Sequence, residues 1–231
     1  MNEITGKLYI VATPIGNLED ITLRALRILG EADIVLSEDT RVGKKLLSHY
    51  DISTPLQSYH AHTSGKHDAI GDMIEAGKQV ALITDAGTPG ISDPGETLVA
   101  YIRQRCGSQS VVAVPGPSAL AAALSIAGIP VHEFIFLGFL PHKKGRQTIL
   151  EEICDSDRTM VFYESTHRIM KALEYLATHL PPERTVVVAR ELTKMFEEAI
   201  SGSADTVFTT LKNQPERQRG EFVVLVQGKT W

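Results

Sequence analysis

Several stretches of this 231-residue chain set charged or hydroxyl side chains directly after short apolar runs. The longest, Thr84-Asp85-Ala86-Gly87-Thr88-Pro89-Gly90-Ile91-Ser92-Asp93-Pro94-Gly95, follows Val80-Ala81-Leu82-Ile83. Its glycines and prolines forbid continuation as strand or helix, and at twelve residues it exceeds the usual strand-to-helix connection of about 2–6. Ser37-Glu38-Asp39-Thr40-Arg41, Glu164-Ser165-Thr166-His167-Arg168 and Arg190-Glu191-Leu192-Thr193-Lys194 are built alike, and Thr13-Pro14-Ile15-Gly16-Asn17 and Pro115-Gly116-Pro117-Ser118 are shorter turns. None matches a P-loop, a GxGxxG fingerprint, an HExxH zinc motif or a GxSxG elbow. What remains is a set of backbone turns, small residues and a few carboxylates, suited to a nucleoside-like ligand with an amino-acid tail. His60, His62 and His67 read as exposed histidines of a polar stretch, and no metal is expected. Asp93, in an Asp-Pro-Gly sequence, reads first as a turn residue.

These stretches need strands to carry them. Leu8–Ala12, Ile34–Leu36, Val80–Ile83, Ser110–Val114, Phe134–Leu137, Thr159–Tyr163, Thr185–Ala189 and Glu221–Val226 are apolar enough to be strands, with Pro55–Tyr59 a weaker candidate. Helical patterns fall between them: Leu23, Leu26 and Leu29 behind a Thr22 cap, then Val42–His49, Asp68–Glu75, a face with Leu98 and Ile102, and an alanine-rich segment from Ser118. Further ones reach Ile153, carry Ile169, Leu173 and Leu176, and run from Ala204 to Leu211. The small residues after Ser118 suit close approach to a ligand or tight helix-on-sheet packing equally. Alternation of this kind predicts an α/β fold. There are too many strands for one comfortable sheet, so two α/β domains, 1–114 and 115–231, are expected. In such sheets the carboxyl edge is where ligands bind.

Composition narrows the class. An apolar fraction of 43% with 22% charged residues is that of a globular protein. No apolar run is long enough to span a bilayer and residues 1–7 lack a signal-peptide core, so a cytoplasmic protein is expected. Cys106 and Cys154 have no zinc spacing and read as reduced thiols. A net charge of −5 argues against coating nucleic acid through bulk electrostatics. The clusters Arg41/Lys44/Lys45, His142/Lys143/Lys144/Arg146 and Arg217/Arg219 read as solvated faces, yet together leave room for a polyanionic partner.

Read together, LYIVATPIGNLEDIT, SEDTR, TDAGTPGISDPG, VPGPSA, VFYESTHR, ARELTK and GEFV resemble, in order and over essentially the whole chain, the ribosomal small subunit methyltransferase I branch of the tetrapyrrole methylase superfamily. The resemblance implies two α/β domains of the class III methyltransferase type, with S-adenosylmethionine in the interdomain cleft. It also implies a homodimer and 2′-O-methylation of a cytidine ribose, position 1402, in the 16S rRNA of the small ribosomal subunit. Thr13-Pro14-Ile15-Gly16 stands where corrinoid methylases carry GxGxG, which favours the rRNA branch. The family's cofactor contacts fall on Pro14, Ile15, Asp85, Ala86, Gly87, Ile91, Ser118 and Ala119, with later ones near Tyr163 and Leu192. Glu164, His167, Glu191 and Glu38 are then candidates to take or orient the ribose proton, and Arg41, Arg168, Arg190 and Lys194 to hold phosphates. A salt bridge to a nearby arginine is an equal reading for Glu38 and Glu191. Family members commonly run some tens of residues further, which leaves open whether an RNA-contacting tail follows Trp231. The alternatives are a methyltransferase of a tetrapyrrole or corrinoid precursor and a non-catalytic nucleotide-binding module.

Overall fold

A computed structural model describes residues 6–60 and 65–229. The chain divides into Met1–Ser118 and Ala119–Trp231, slightly beyond the boundary expected at 114/115. In the first unit β1 (Lys7–Val11), β2 (Ile34–Ser37), β3 (Leu56–Ser58), β4 (Gln79–Ile83) and β5 (Val111–Val114) form a parallel sheet in the order β3-β2-β4-β1-β5. Helices α1 (Leu23–Glu31) and α2 (Thr40–His49) bring Ala25, Ile28, Leu29, Leu46 and Leu47 onto Val11, Val35, Ala81 and Ile83. Helices α3 (Gly65–Glu75) and α4 (Glu96–Cys106) pack Ile70, Ile74, Leu98 and Ile102 against Leu8, Leu36, Val80 and Leu82 on the other face. β4 thus feeds alternate residues into two cores, which is why it reads as an unbroken apolar run.

The crossovers explain where the loops converge. The connections carry the chain from β1 through β2 to β3 over one face and back through β4 to β5 over the other, the pattern that the right-handed rule for βαβ crossovers produces. β4 therefore lies between β1 and β2, two strands whose exits turn to the face opposite its own. The exit of β2 is abrupt: Asp39 caps α2 by accepting from the Arg41 N–H (2.8 Å), so the helix begins at Thr40 rather than Val42. Thr22 caps α1 through the Ala25 N–H at 3.1 Å.

The second unit carries β6 (Phe134–Phe139), β7 (Thr159–Ser165), β8 (Thr185–Arg190), β9 (Glu198–Ser203) and β10 (Glu221–Val226) in the order β6-β7-β10-β8-β9. Only the β6–β7 pair is parallel. Helices α6 (Arg146–Asp155), α7 (Ile169–His179) and α8 (Ala204–Asn213) cover one face around Leu150, Leu173, Leu176, Val207, Phe162 and Phe222. Helix α5 (Ala119–Ile126) packs against β10 and buries Ala123. β9 was not expected: Glu-Ala-Ile-Ser-Gly-Ser is polar because an edge strand buries little, and its pairing with β8 supplies the order the side chains do not.

Leu82 is fully buried beneath the Gly95 turn. Leu82→Ala is expected to lower the unfolding free energy by about 2–5 kcal/mol in urea titration. A loss well under 1 kcal/mol would mean that this core closes around the gap.

Candidate functional site

The first unit's loops are stapled at the carboxyl edge. Thr13 and Gly87 exchange two backbone hydrogen bonds, Thr13 N–H to Gly87 O at 2.8 Å and Gly87 N–H to Thr13 O at 3.0 Å. The Thr13 hydroxyl donates to Thr84 O (3.1 Å) and the Thr88 hydroxyl to Pro117 O (3.2 Å). Gly87 has φ +80° with only ordinary contacts around a Cβ, so backbone conformation rather than space requires glycine there. From the β2 exit the Asp39 N–H donates to Asp85 Oδ1 at 3.0 Å.

This staple leaves polar groups over. Asp85 and Ala86 are exposed, and neither donates its backbone N–H to another described residue. The Thr84 hydroxyl is buried without a hydrogen-bond partner, and the residues Thr84, Thr13, Pro14, Leu18, Val42 and Leu46 are among those lining a cavity of about 260 Å³. The two expected apolar walls differ: Ile15 is buried against Gly87, whereas Ile91 is 42% exposed. Ser118, half-buried, closes this unit and Ala119, half-buried, opens α5 in the other.

Carboxylates give this edge its electrostatics. Burial, then Asp85 and Asp39, push the Glu38 carboxyl up, with His60 opposing. Burial, then Glu38 and Asp85, push Asp93 up to about 6, so the Asp-Pro-Gly turn also carries a strongly perturbed acid. Asp39 falls to about 2 because the Arg41 side chain and N–H both bond it. The largely exposed Arg41 is thereby held beside the cluster. Nearby histidines are otherwise engaged: His60 meets Ser58 at 2.9 Å, and His67 bonds the Tyr59 hydroxyl at 3.0 Å. His62 lies outside the described residues, among which no group of three side chains could hold a metal.

In the second unit, strand period places the charges. Phe222 of β10 pairs with Glu164 of β7 on one side and Arg190 of β8 on the other. Partners in one row share a face, and Phe222 belongs to the helix-covered core. Both charges are therefore buried. Glu164, 1% exposed, bonds Arg146 at 2.7 Å and Arg168 at 2.9 Å and accepts from the Ser165 N–H at 2.9 Å. Arg168 also donates to Leu140 O at 2.8 Å, tying the chain before α6 to the end of β7. His167, two residues before α7, is exposed, and Tyr163 lies edge-on to Phe136 and Phe139.

Glu191, at φ 51°, accepts from the Glu221 N–H and Lys194 Nζ, each at 3.0 Å. Burial works to raise its pKa, but these two donors outweigh it and the net shift is downward. Gly220, φ +111°, lies so close that a Cβ would sit 2.6 Å from the Glu191 side chain. Lys194 also bridges to Glu221 at 2.8 Å, and Leu192 is buried. Sequence reasoning did not single out Arg146 or Gly220 for these contacts, since both depend on partners far along the chain.

A family model described as Tetrapyrrole (Corrin/Porphyrin) Methylases matches residues 7–207. The ribosomal RNA small subunit methyltransferase I of Haemophilus influenzae is 46% identical over 231 residues, 99% of this chain and 81% of that protein. The Synechocystis protein of the same name is 44% identical, covering 97% and 80%. Among solved structures, the methyltransferase CobJ aligns with a TM-score of 0.68 at 20% identity, covering 97% of this chain and 95% of that one. A uroporphyrin-III-C-methyltransferase from Thermus thermophilus gives 0.63 at 21%, covering 98% and 94%. At these identities the structures speak for the fold alone.

The Asp93 shift has a pH signature. Below about pH 4 the acid is protonated folded or unfolded; between about pH 4 and 6 the unfolded chain ionises first, so stability falls as pH rises. Asp93→Asn is expected to melt with wild type near pH 4 and above it near pH 7.5; equal melting at both would contradict this. Glu164→Gln leaves two arginines facing a neutral group, and a loss of about 3–5 kcal/mol is expected in urea titration.

Proposed function

Because this chain belongs to the tetrapyrrole methylase family, and within it to the ribosomal RNA small subunit methyltransferase I group, we propose that it moves a methyl group from S-adenosylmethionine to the ribose 2′-hydroxyl of a cytidine in 16S rRNA of the small ribosomal subunit. The observation that carries the cofactor assignment is the stapled loop after β4. Its free Asp85 and Ala86 amides suit a ligand with carboxylate and hydroxyl acceptors, and the unpartnered Thr84 hydroxyl lies beside them. Exposed Ile91 offers an apolar wall, and Pro14 and Ile15 stiffen the floor. The bound sulfonium would supply an already electrophilic methyl group, so no metal is required.

The chain's own task is then to align the ribose oxygen and accept its proton. Of the four candidates, Glu164 and Glu191 are spent on arginine, lysine and backbone donors, and we assign them to positioning. Glu38, whose pKa is raised, is the stronger proton acceptor in the first unit, and His167 is an open ring in the second. Arg41, Arg168, Arg190 and Lys194 are the proposed phosphate contacts, each oriented by a neighbouring carboxylate. We further propose a cytoplasmic homodimer; no helix among the described residues is long and apolar enough to cross a membrane.

Calorimetry should detect S-adenosylmethionine binding, weakened at least about tenfold by Asp85→Ala, which frees the Asp39 amide and unties the two loops. With labelled cofactor and 30S subunits lacking the modification, label should map to a cytidine ribose. Glu38→Gln should slow single-turnover methylation by about 10²-fold or more. Absence of binding at millimolar cofactor overturns the reading, as does label on a corrinoid precursor and none on rRNA.

A further inference from the structure

The turn joining β8 to β9 holds Met195 and Phe196 out in solvent, 91% and 66% exposed. It is not a loose loop. Glu191 and Thr193 take φ of 51° and 65°; the Lys194 N–H donates to Glu191 O (2.9 Å), the Glu197 N–H to Lys194 O (3.1 Å), and the Glu197 carboxylate accepts from the Thr193 N–H. Arg190 reaches beneath it, donating from Nη1 to Phe196 O at 3.2 Å and from Nη2 to Arg219 O at 3.1 Å. Holding two large apolar side chains in water opposes burial of their surface, and a frame that fixes them there is explained by something that covers them.

Beside this tip is a cavity of about 790 Å³ lined by Arg190, Met195, Phe196, Arg217, Arg219 and Gly220, among others. Arg190 is only 8% exposed, yet its Nε, buried in that wall, has no acceptor. The neighbouring carboxylates are mostly spent: Glu191 on Lys194 and the Glu221 amide, Glu197 on Thr193, Glu198 on Arg217 and Arg190. Glu216 on the rim is the remaining one. Arg219 is exposed and makes no ion pair among the described residues. An exposed aromatic face and an exposed guanidinium without an ion pair beside a nucleotide-sized space are the features that seat an unpaired nucleotide, base stacked on the ring and phosphate on the arginine.

Resting on the reading of rRNA as substrate, we propose that this cavity seats one unpaired nucleotide of the RNA, its base stacked on Phe196 with Met195 alongside and its phosphate toward the exposed Arg219. Arg190 is then a positioning residue as well, since it holds the carbonyl of the residue that stacks. Phe196→Ala should raise the concentration of unmodified 30S subunits giving half-maximal methylation by about tenfold, within the range for loss of one base–aromatic stack. Cofactor affinity by calorimetry and melting temperature should stay as in wild type. Phe196→Trp, in a Trp231→Phe background that removes the sole native tryptophan, should restore methylation and show indole quenching by a single-stranded cytidine-containing oligoribonucleotide. If wild type methylates 30S subunits and Phe196→Ala saturates at the same concentration, the inference fails while the function stands. An indole that responds to 30S subunits but not to the oligoribonucleotide shows that the tip meets another surface of the subunit rather than an unpaired nucleotide, and also overturns it. A wild type that methylates no rRNA overturns the function itself.

Discussion

The two backbone hydrogen bonds between Thr13 and Gly87 join the exits of β1 and β4 at a place where the chain topology alone would splay them apart. β1 leaves toward the α1/α2 face and β4 toward the α3/α4 face, so a crevice opens between them as a consequence of right-handed crossovers. A crevice is only a gap until its walls are fixed. Exchanging both bonds engages the backbone N–H and C=O groups of Thr13 and Gly87 and leaves the neighbouring amides of the exposed Asp85 and Ala86 without an acceptor among the described residues. The glycine conformation at residue 87 follows from this demand, and so does the run of glycines and prolines after it, which must carry the chain back to α4 without pairing.

A different constraint shapes the second unit. Because Phe222 lies between Glu164 and Arg190 in one row, the alternation that buries the phenylalanine also drives two charges under the helices. Isolated there, either would be costly. Glu164 is offset by Arg146 and Arg168, which reach it from α6 and the start of α7, and Arg190 by Glu198 and two backbone carbonyls. Those arrangements fix three segments at the strand ends: the approach to α6, the turn into α7 and the β8–β9 turn. Charge burial here serves placement more than stability, which fits the observation that buried ion pairs seldom add net stability over apolar substitutes.

How far the sequence disclosed this depends on the range of each interaction. β4 and its loop were legible because a both-faces-buried strand and a Gly/Pro-rich exit are local signals, and the cap at Thr22 lies within three residues of what it caps; the Asp39 cap, in a run of charged residues, was not read, and the helix was expected to begin two residues later. β9 was not legible, since Glu198–Ser203 lacks the apolar alternation of a strand and is ordered by its neighbour. The partners of Glu164 were equally hidden: Arg146 read as one residue of a basic tract, and only the fold brings it back eighteen positions later. Gly220 over Glu191 and the bracing of Phe196 by Arg190 belong to the same class, contacts set by strand register and turn geometry.

The charge distribution also separates two kinds of ligand. Glu38, Asp85 and Asp93 crowd the first unit's carboxyl edge closely enough to raise the pKa of two of them, and such an edge repels phosphate. A cation is what lowers its energy: a positive charge placed there would favour the ionised forms, drawing Asp93 down from about 6. Sulfonium and ammonium groups carry that charge, whereas RNA does not. A polyanion must be met on individual arginines, such as Arg41 held at the rim of this edge by Asp39 and those of the second unit, since a net charge of −5 gives no general attraction. Cationic cofactor and anionic substrate are thus sorted by local field before any contact forms, and raising salt should weaken the two associations for opposite reasons, one by screening carboxylates and the other by screening arginines.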